Sequence, residues 1–319
     1  MAAVQSPASR IWNRIAIGLV LFCLVMSMIP LYWIGSTAFK ARSDATTVPP
    51  TVFFKPQIAP FIKLFTSRVQ LRGAPDAADY AKAPWWERLV LDNGERFIKD
   101  DQGRVEPSGY GSRFLNSIII AVTSTFLAVA MGTLTAYGFS RFRMPGEADW
   151  LFFILSTRML PPVVVAIPMF LMYRAVGLVD THAGLIILYT AFNVSFSVWL
   201  MKGFMDEIPR EYEEAALVDG YTRVEAFFKI VLPQAATGIA ATAVFCFITA
   251  WNEYAFALMM TNRIAQTAPP YIPSQLGSGL TDWTTIAAGT LLFLIPVSIF
   301  TFLLRNHLLR GVTFGTIRK

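Results

Sequence analysis

The sequence predicts an all-α integral membrane protein: six transmembrane helices, a cytoplasmic pair of hinged helices and a long external loop. Hydrophobic residues make up 55% of the 319 and charged residues 15%, with mean hydropathy +0.50. Ordinary soluble domains carry about 25% charge. Long uncharged stretches recur along the chain, and a helix needs about 20 apolar residues to cross roughly 30 Å of hydrocarbon. Lys and Arg gather at one set of their ends.

The first uncharged run, Ile15–Phe39, follows Arg10 and Arg14. It is longer than the roughly 7–15 apolar residues of a secretory signal core, so residues 1–39 read as a cytoplasmic N-terminus and an uncleaved first span. Residues 40–112 mix both charges with several prolines and read as a water-exposed external loop. Within it, "RLVLDNGERFI" places apolar residues on both sides of Asn93-Gly94, a hairpin turn signal, and Trp85 and Trp86 suit the bilayer interface. The loop has two readings, a solvated cap or a docking surface for an external partner.

Residues 113–305 form the five-span core. Its runs are Phe114–Ser140, then Trp150–Tyr173 interrupted by Arg158, then Ala183–Met201, Ile230–Asn252 and Thr284–Leu304. Read with its flanks, the fourth of these places its span nearer Gly238–Met260. The tail, 306–319, has too few apolar residues for another span.

Orientation follows from basic residues near span ends. One side collects Arg10, Arg14, Arg141, Arg143, Lys202, Arg210, Arg223, Lys229, Arg305, Arg310, Arg318 and Lys319; the short loops of the other hold Arg174 and Arg263. Both termini are therefore expected in the cytoplasm. The net charge of +6 comes with no basic run, which argues against a nucleic-acid partner. Cys23 and Cys246 lie in apolar runs, and His182 and His307 stand far apart, so neither a disulfide framework nor a metal centre is expected.

The loop 204–235 is the polar exception. Pro209 suits a first helical turn, good helix formers follow to Val218, and Asp219-Gly220 suits a left-handed helix end. Thr222-Arg223-Val224-Glu225 matches a capping box that starts a second helix. On that helix Val224, Phe227, Phe228 and Val231 share a face by their i, i+3, i+4, i+7 spacing. Such a face either packs on the protein's own span ends or enters a partner's groove.

The same stretch resembles the EAA-loop signature of ABC importer membrane subunits: Glu214-Ala215-Ala216, three residues, Gly220, nine residues, Ile230, one residue, Leu232-Pro233. The segments "NSIIIAVTSTFLAVAMGTLTAYGFSR", "LPPVVVAIPMFLMYRAVGLVDTHAGLII", "WNEYAFALMM" and "RGVTFGTIRK" are similar to carbohydrate-importer permeases of the type of the maltose transporter's smaller permease. The resemblance covers Phe114–Lys319 and the first span. It departs over Lys40–Ser112, and Tyr221 stands where the family often has a small residue.

The resemblance implies a permease of the bacterial inner membrane whose helix pair, with Asp219 and Phe227 beside the signature residues, docks into a cytoplasmic ATPase dimer. It also implies a second, homologous permease subunit, a periplasmic solute-binding protein and a small-molecule substrate such as a sugar or polyol. The tail would be either a frayed basic end at the lipid surface or a segment reaching the ATPase interface. No G-x-x-x-x-G-K-[S/T] occurs, so no cofactor or catalytic site is expected in this chain; ATP and Mg belong to the partner.

Inside the spans, Arg158 lies about 12 Å into its helix, where a charge is costly and needs a partner. Glu253 is the comparably placed carboxylate, so an Arg158–Glu253 pair is one expectation and a packing or gating role the other. Asn193, Ser195, Ser197 and Asn252 either bond sugar hydroxyls along the substrate path or make interhelical hydrogen bonds. Competing classes are an ABC permease for amino acids, peptides or phosphate esters, and a self-sufficient secondary transporter, which would call for repeats or paired ionisable groups at mid-depth.

Overall fold

The computed structural model describes residues 7–71, 73, 76–274 and 282–314. The chain divides into two compact units, Met1–Gly109 with Gln275–Leu292 and Tyr110–Ser274 with Phe293–Lys319.

In the first unit, α1 (Pro7–Thr37) is a long apolar helix with none of its most apolar window buried. After it come α2 (Arg42–Ala45), α3 (Ala59–Phe65), β1 (Arg68–Gln70), α4 (Ala77–Lys82), α5 (Trp85–Leu91) and β2 (Glu95–Phe97). The hairpin expected at Asn93-Gly94 is not formed. "WWERLVL" is the helix α5 instead, opened by extended Pro84 and closed by Asn93, whose Nδ2 donates to the Leu89 carbonyl at 2.7 Å. Gly94, at φ +72°, then turns the chain out of the helix. A two-stranded sheet does form, but β2 pairs antiparallel with the distant β1, Arg68 opposite Phe97 and Gln70 opposite Glu95.

Ionic contacts fix this unit. Lys63 on α3 is almost fully buried and reaches Glu95 at 3.1 Å and Asp282 at 3.3 Å. Arg68 lies 2.8 Å from Glu95 and 3.5 Å from Asp282, and Arg42 adds a third cation 3.3 Å from Glu95. Asp282 also accepts from the Thr284 and Thr285 hydroxyls at 2.6 and 2.8 Å. Two buried carboxylates held by three cations are the condition under which buried charge is tolerated.

The second unit carries α6 (Tyr110–Arg141), α7 (Glu147–Ser156), α8 (Pro162–Ala175), α9 (His182–Glu207), α10 (Glu211–Val218), α11 (Arg223–Ala226), α12 (Leu232–Gln234), α13 (Ala236–Trp251), α14 (Ala255–Met260) and α15 (Ala268–Ser274). Helix α16 (Trp283–Phe314) begins in the first unit and continues into this one. The described chain is thus mostly helix. Among the described residues, four helices are long and apolar enough to cross a membrane unbroken, and two helix pairs make up six spans if each counts as one bent span.

The bent pairs amend the expected straight spans: Arg223–Gln234 meets Ala236–Trp251 at 73°. Glu147–Met159 meets Pro162–Ala175 at 91°. The residue before a proline is driven to extended backbone, and Leu160 and Pro161, each followed by a proline, have ψ of 124° and 131°. The span expected over Gly238–Met260 is interrupted between α13 and α14 at Asn252, Glu253 and Tyr254. Irregular backbone at membrane depth is tolerated where it is buried in protein or lines a cavity.

Helices α6 and α9 form the tightest pair of the unit. A Cβ on Gly132 would lie 2.1 Å from Ser197 Oγ and 3.0 Å from the Ser197 backbone. Close approach at small residues replaces the hydrophobic drive that lipid removes. Nearby, Trp251 stacks on Phe247 at 5.5 Å and on Phe293 at 4.6 Å, and its Nε1 donates to the Phe293 carbonyl at 3.1 Å. Asp180, at φ 56°, ties two loops together: its carboxylate accepts from the backbone N–H groups of Asn262, Arg263, Ile264 and Ala265 at 3.1–3.3 Å. Burial alone would raise its pKa; those four N–H groups outweigh burial and lower it. The tail's backbone continues α16 to Phe314, and residues 315–319, with the expectation placed on them, lie outside the described residues.

Two outcomes follow from this packing. Burial would raise the Asp282 pKa, but Lys63, the two threonines and Arg68 hold it at about 2, below the ordinary 3.8. A depressed carboxylate adds stability above its unfolded pKa of about 4, on the order of 2 kcal/mol here, which is lost as pH falls toward 2. Asp282→Asn should therefore speed amide exchange at residues 95–97 and 284–286 at pH 7, and exchange rates equal to the wild type would refute the linkage. Gly132→Ala should destabilise the chain by about 1–3 kcal/mol in thermal unfolding in detergent. Gly18→Ala, with open space around it, serves as the control.

Candidate functional site

The polar loop folds as two hinged helices. α10 has Arg210 at its N-cap, so Pro209 stands just before the helix. Glu211, Glu213 and Glu214 occupy its first turn, where carboxylates complement the helix dipole. Gly220, at φ +91°, closes it, with Tyr221 N donating to the Ala216 carbonyl at 3.0 Å. Only glycine takes that conformation without strain. Thr222 and Glu225 then form a reciprocal capping box: Glu225 N donates to Thr222 Oγ1 at 3.3 Å and Thr222 N to Glu225 Oε2 at 2.9 Å. α11 runs into a π-wound turn, Phe227–Val231, just ahead of Pro233, which has no N–H to give to a regular helix.

Burial splits this pair in two. Facing inward, Glu213, Ala216, Ala226, Phe227 and Val231 are buried, and Phe227 and Val231 pack with Met201, Met205 and Ile208 at the end of α9. The Glu213 carboxylate meets Arg141 Nε at 2.8 Å, with both side chains nearly fully buried, and accepts from the Tyr137 hydroxyl. Arg141 also donates to the carbonyls of Met205 and Ile208 at 3.2 and 3.0 Å, and Arg210 to that of Ser140 at 2.6 Å.

Outward, Glu214, Ala215, Asp219, Gly220 and Pro233 are exposed, and Ile230 and Leu232 are half-buried. The predicted phenylalanine face divides accordingly. Phe227 is 4% exposed, whereas Val224 and Phe228 are 65% and 56% exposed. Of the sequence-derived set, Ala216 and Phe227 pack on the chain's own helices. Arg141, Tyr137 and Glu213 were missed, because an ionic contact between residues 72 apart leaves no local signal.

A second constellation lies where the bent spans break. Arg158, Asn193 and Glu253 line a cavity of about 90 Å³ together with Tyr189, Phe192 and Phe256. The expected Arg158–Glu253 pair is not made. Arg158 Nη2 donates instead to Asn193 Oδ1 at 3.2 Å, and Glu253 Oε1 accepts from Phe256 N at 2.9 Å, capping α14. No ion pair involves either group among the described residues. The carboxylate is held instead by the helix that resumes after the break.

The remaining candidates stay apart from this cavity. Ser197 is fully buried against Gly132, Ser195 bonds Thr157 at 3.0 Å, and Asn252 donates to its own helix at the Ile248 carbonyl at 2.8 Å. For Ser195 and Asn252 the interhelical or intrahelical bond is what the structure contains, whereas the buried Ser197 hydroxyl makes no hydrogen bond. Tyr189, with its buried hydroxyl, was missed because one tyrosine in an apolar run carries no spacing signal.

Comparisons with known proteins agree with this architecture. The family described as "Binding-protein-dependent transport system inner membrane component" matches residues 128–314. The probable ABC transporter permease protein y4oR of Sinorhizobium fredii is 28% identical over 99% of this chain and 100% of its own length. The trehalose transport system permease protein SugB of Mycobacterium tuberculosis is 35% identical over 66% of this chain and 77% of its own. The trehalose/maltose permease MalG of Thermococcus litoralis is 31% identical over 72% and 82%. Among solved structures, a bacterial ABC transporter that imports the acidic polysaccharide alginate superimposes with TM-score 0.68 at 19% identity, covering 96% of this chain and 99% of that one. A structure of bacterial alginate ABC transporter in complex with an alginate pentasaccharide-bound periplasmic protein gives 0.52 at 16% identity, over 95% and 98%. The chain belongs to the family of inner membrane components of binding-protein-dependent transport systems, the membrane-spanning permease subunits of ABC importers.

Proposed function

We propose that this permease moves a sugar, polyol or related small solute inward, driven by ATP hydrolysis on a separate cytoplasmic ATPase dimer that grips the outward side of the α10–α11 pair. The observation that carries this is the burial split. Glu213 is locked to Arg141 within the chain, while its neighbours Glu214 and Ala215, with Gly220 at the turn, present a charge, a small side chain and a tight bend to the outside. Small residues let another backbone approach closely, and a fixed charge sets its register.

The substrate class rests on the relatives, named for trehalose and for trehalose/maltose transport. A second permease subunit and lipid would cover α1, whose apolar window has nothing buried within this chain. A solute-binding protein would dock on the opposite side. With basic residues at the helix-pair side, both termini face the cytoplasm. ATP and Mg would be held by the ATPase.

Two sets of variants test this reading. Glu214→Lys with Ala215→Asp, or Gly220→Pro, should abolish transport in reconstituted vesicles and release the ATPase on purification, while the chain stays folded in the membrane. Normal ATP-driven uptake by these variants would sink the assignment. Glu213→Ala should fail differently. It leaves Arg141 buried without its carboxylate, a loss of about 3–5 kcal/mol, read as a lowered melting temperature in detergent before any ATPase is added.

A further inference from the structure

The cavity at the two broken spans holds groups that structural duty leaves unused. Arg158 has five N–H donors in a planar fork, one of which meets Asn193 at 3.2 Å. Asn193 is itself fixed, since its Nδ2 donates to the Cys246 carbonyl at 3.3 Å, so the guanidinium is held in one orientation. Glu253 uses one oxygen to cap α14 at 2.9 Å and keeps acceptor sites on its carboxylate. The Tyr189 hydroxyl, on a side chain 3% exposed, has no hydrogen-bond partner. A buried hydroxyl without a partner costs free energy that apolar packing would avoid. On the cavity wall Phe192 and Phe256 lie with ring centroids 4.8 Å apart.

Taken together, these side chains offer a fixed cation, a fixed anion, an unpaired hydroxyl and an aromatic wall around about 90 Å³. That space is well above the ~10–15 Å³ that admits one water, and suits one arm of a larger solute rather than a whole disaccharide. An anionic arm would meet Arg158 but be repelled by Glu253, and a cationic one the reverse. A neutral arm with vicinal hydroxyls satisfies both, because each hydroxyl donates to Glu253 or accepts from Arg158 or Tyr189 while its C–H face lies on the phenylalanines. Discontinuous spans with ionisable groups at depth are also where transporters of other folds bind solute.

We infer that this cavity is a subsite, within this chain itself, for a hydroxyl-bearing arm of a neutral polyhydroxylated solute, built from Arg158, Asn193, Tyr189 and Glu253. The inference rests on the sugar or polyol reading and narrows it to uncharged solutes held by this subunit.

The test is solute-dependent thermal stabilisation of the chain as purified from membranes, with the subunits that accompany it, using glucose, glucitol, trehalose and glucuronate as probes. At least one neutral probe should raise the melting temperature and glucuronate should not. Tyr189→Phe and Glu253→Gln should each raise the half-saturating concentration about 5- to 30-fold, as expected for one hydrogen bond to a charged or buried group. Tyr189→Phe removes a hydroxyl with no partner, so its melting temperature without solute should equal or exceed that of the wild type. Loss of solute response in that variant is therefore not a folding defect. No response to any neutral probe, an equal response to glucuronate, or unchanged half-saturation in both variants overturns the subsite and leaves a structural cavity. Co-purification of the ATPase is scored separately. Its absence counts against the coupling reading, whereas its presence with an unmoved solute response counts against the subsite alone.

Discussion

The ion pair of Arg141 and Glu213 joins the polar helix pair to the membrane-embedded helices. Arg141 closes α6, Glu213 lies in the first turn of α10, and the same guanidinium holds the carbonyls of Met205 and Ile208 where α9 ends. The end of α6 thus meets the junction of α9 and α10, 64–72 residues further along the chain, at one side chain. A buried ion pair is a poor source of net stability, because desolvation offsets most of its Coulomb energy. Its effect is geometric. α10 cannot rotate about its axis without stripping Arg141 of its carboxylate, so the face bearing Glu214 and Ala215 is held outward. Phe227, its ring tilted against that of Tyr137 with centroids 4.7 Å apart, braces the second helix against the same point.

Membrane depth imposes the opposite economy on the spans. Each backbone N–H and C=O must be satisfied without water, yet this chain breaks two of its spans. The breaks are local consequences of sequence: consecutive prolines at Pro161 and Pro162, and the polar Asn252-Glu253 between α13 and α14. Side chains take up the freed backbone groups, as when Glu253 receives the Phe256 N–H. The neighbouring α6–α9 contact at Gly132 and Ser197 is correspondingly tight, so the irregular segments are set against a rigid pair.

Much of this architecture was legible in the sequence. Apolar runs located the spans, and Gly220 with the Thr222–Glu225 box located the hinge, because each of these signals acts within one turn of chain. What local signals could not resolve was facing. α10 has only eight residues, too few turns for periodicity to say whether Glu213 or its neighbour Glu214 points inward, and that depended on Arg141. The Asn93-Gly94 turn misled for a related reason: the dipeptide marks a reversal, but here it ends the helix Trp85–Leu91, and the strand after it pairs with the distant β1. Arg158 was rightly expected to need a partner, but an amide from α9 supplied it where a carboxylate had been sought.

The hinge and the cavity are linked by continuous chain. α11 passes through the π-wound turn into α12, bends by 73° into α13, and α13 ends at Trp251, two residues before Glu253 on the cavity wall. The inward face of this path is anchored by Phe227 and Val231 at one end, and at the other by Trp251, whose indole is held to the Phe293 carbonyl. The α10–α11 pair is thus joined to Glu253 through α12 and α13, while Arg158 and Asn193 sit on other spans. Relative motion of those spans separates the carboxylate from the guanidinium without breaking a bond between them, since none is made. A direct Arg158–Glu253 pair would have tied the two spans together; without it, no ion pair at the cavity opposes a change in their spacing.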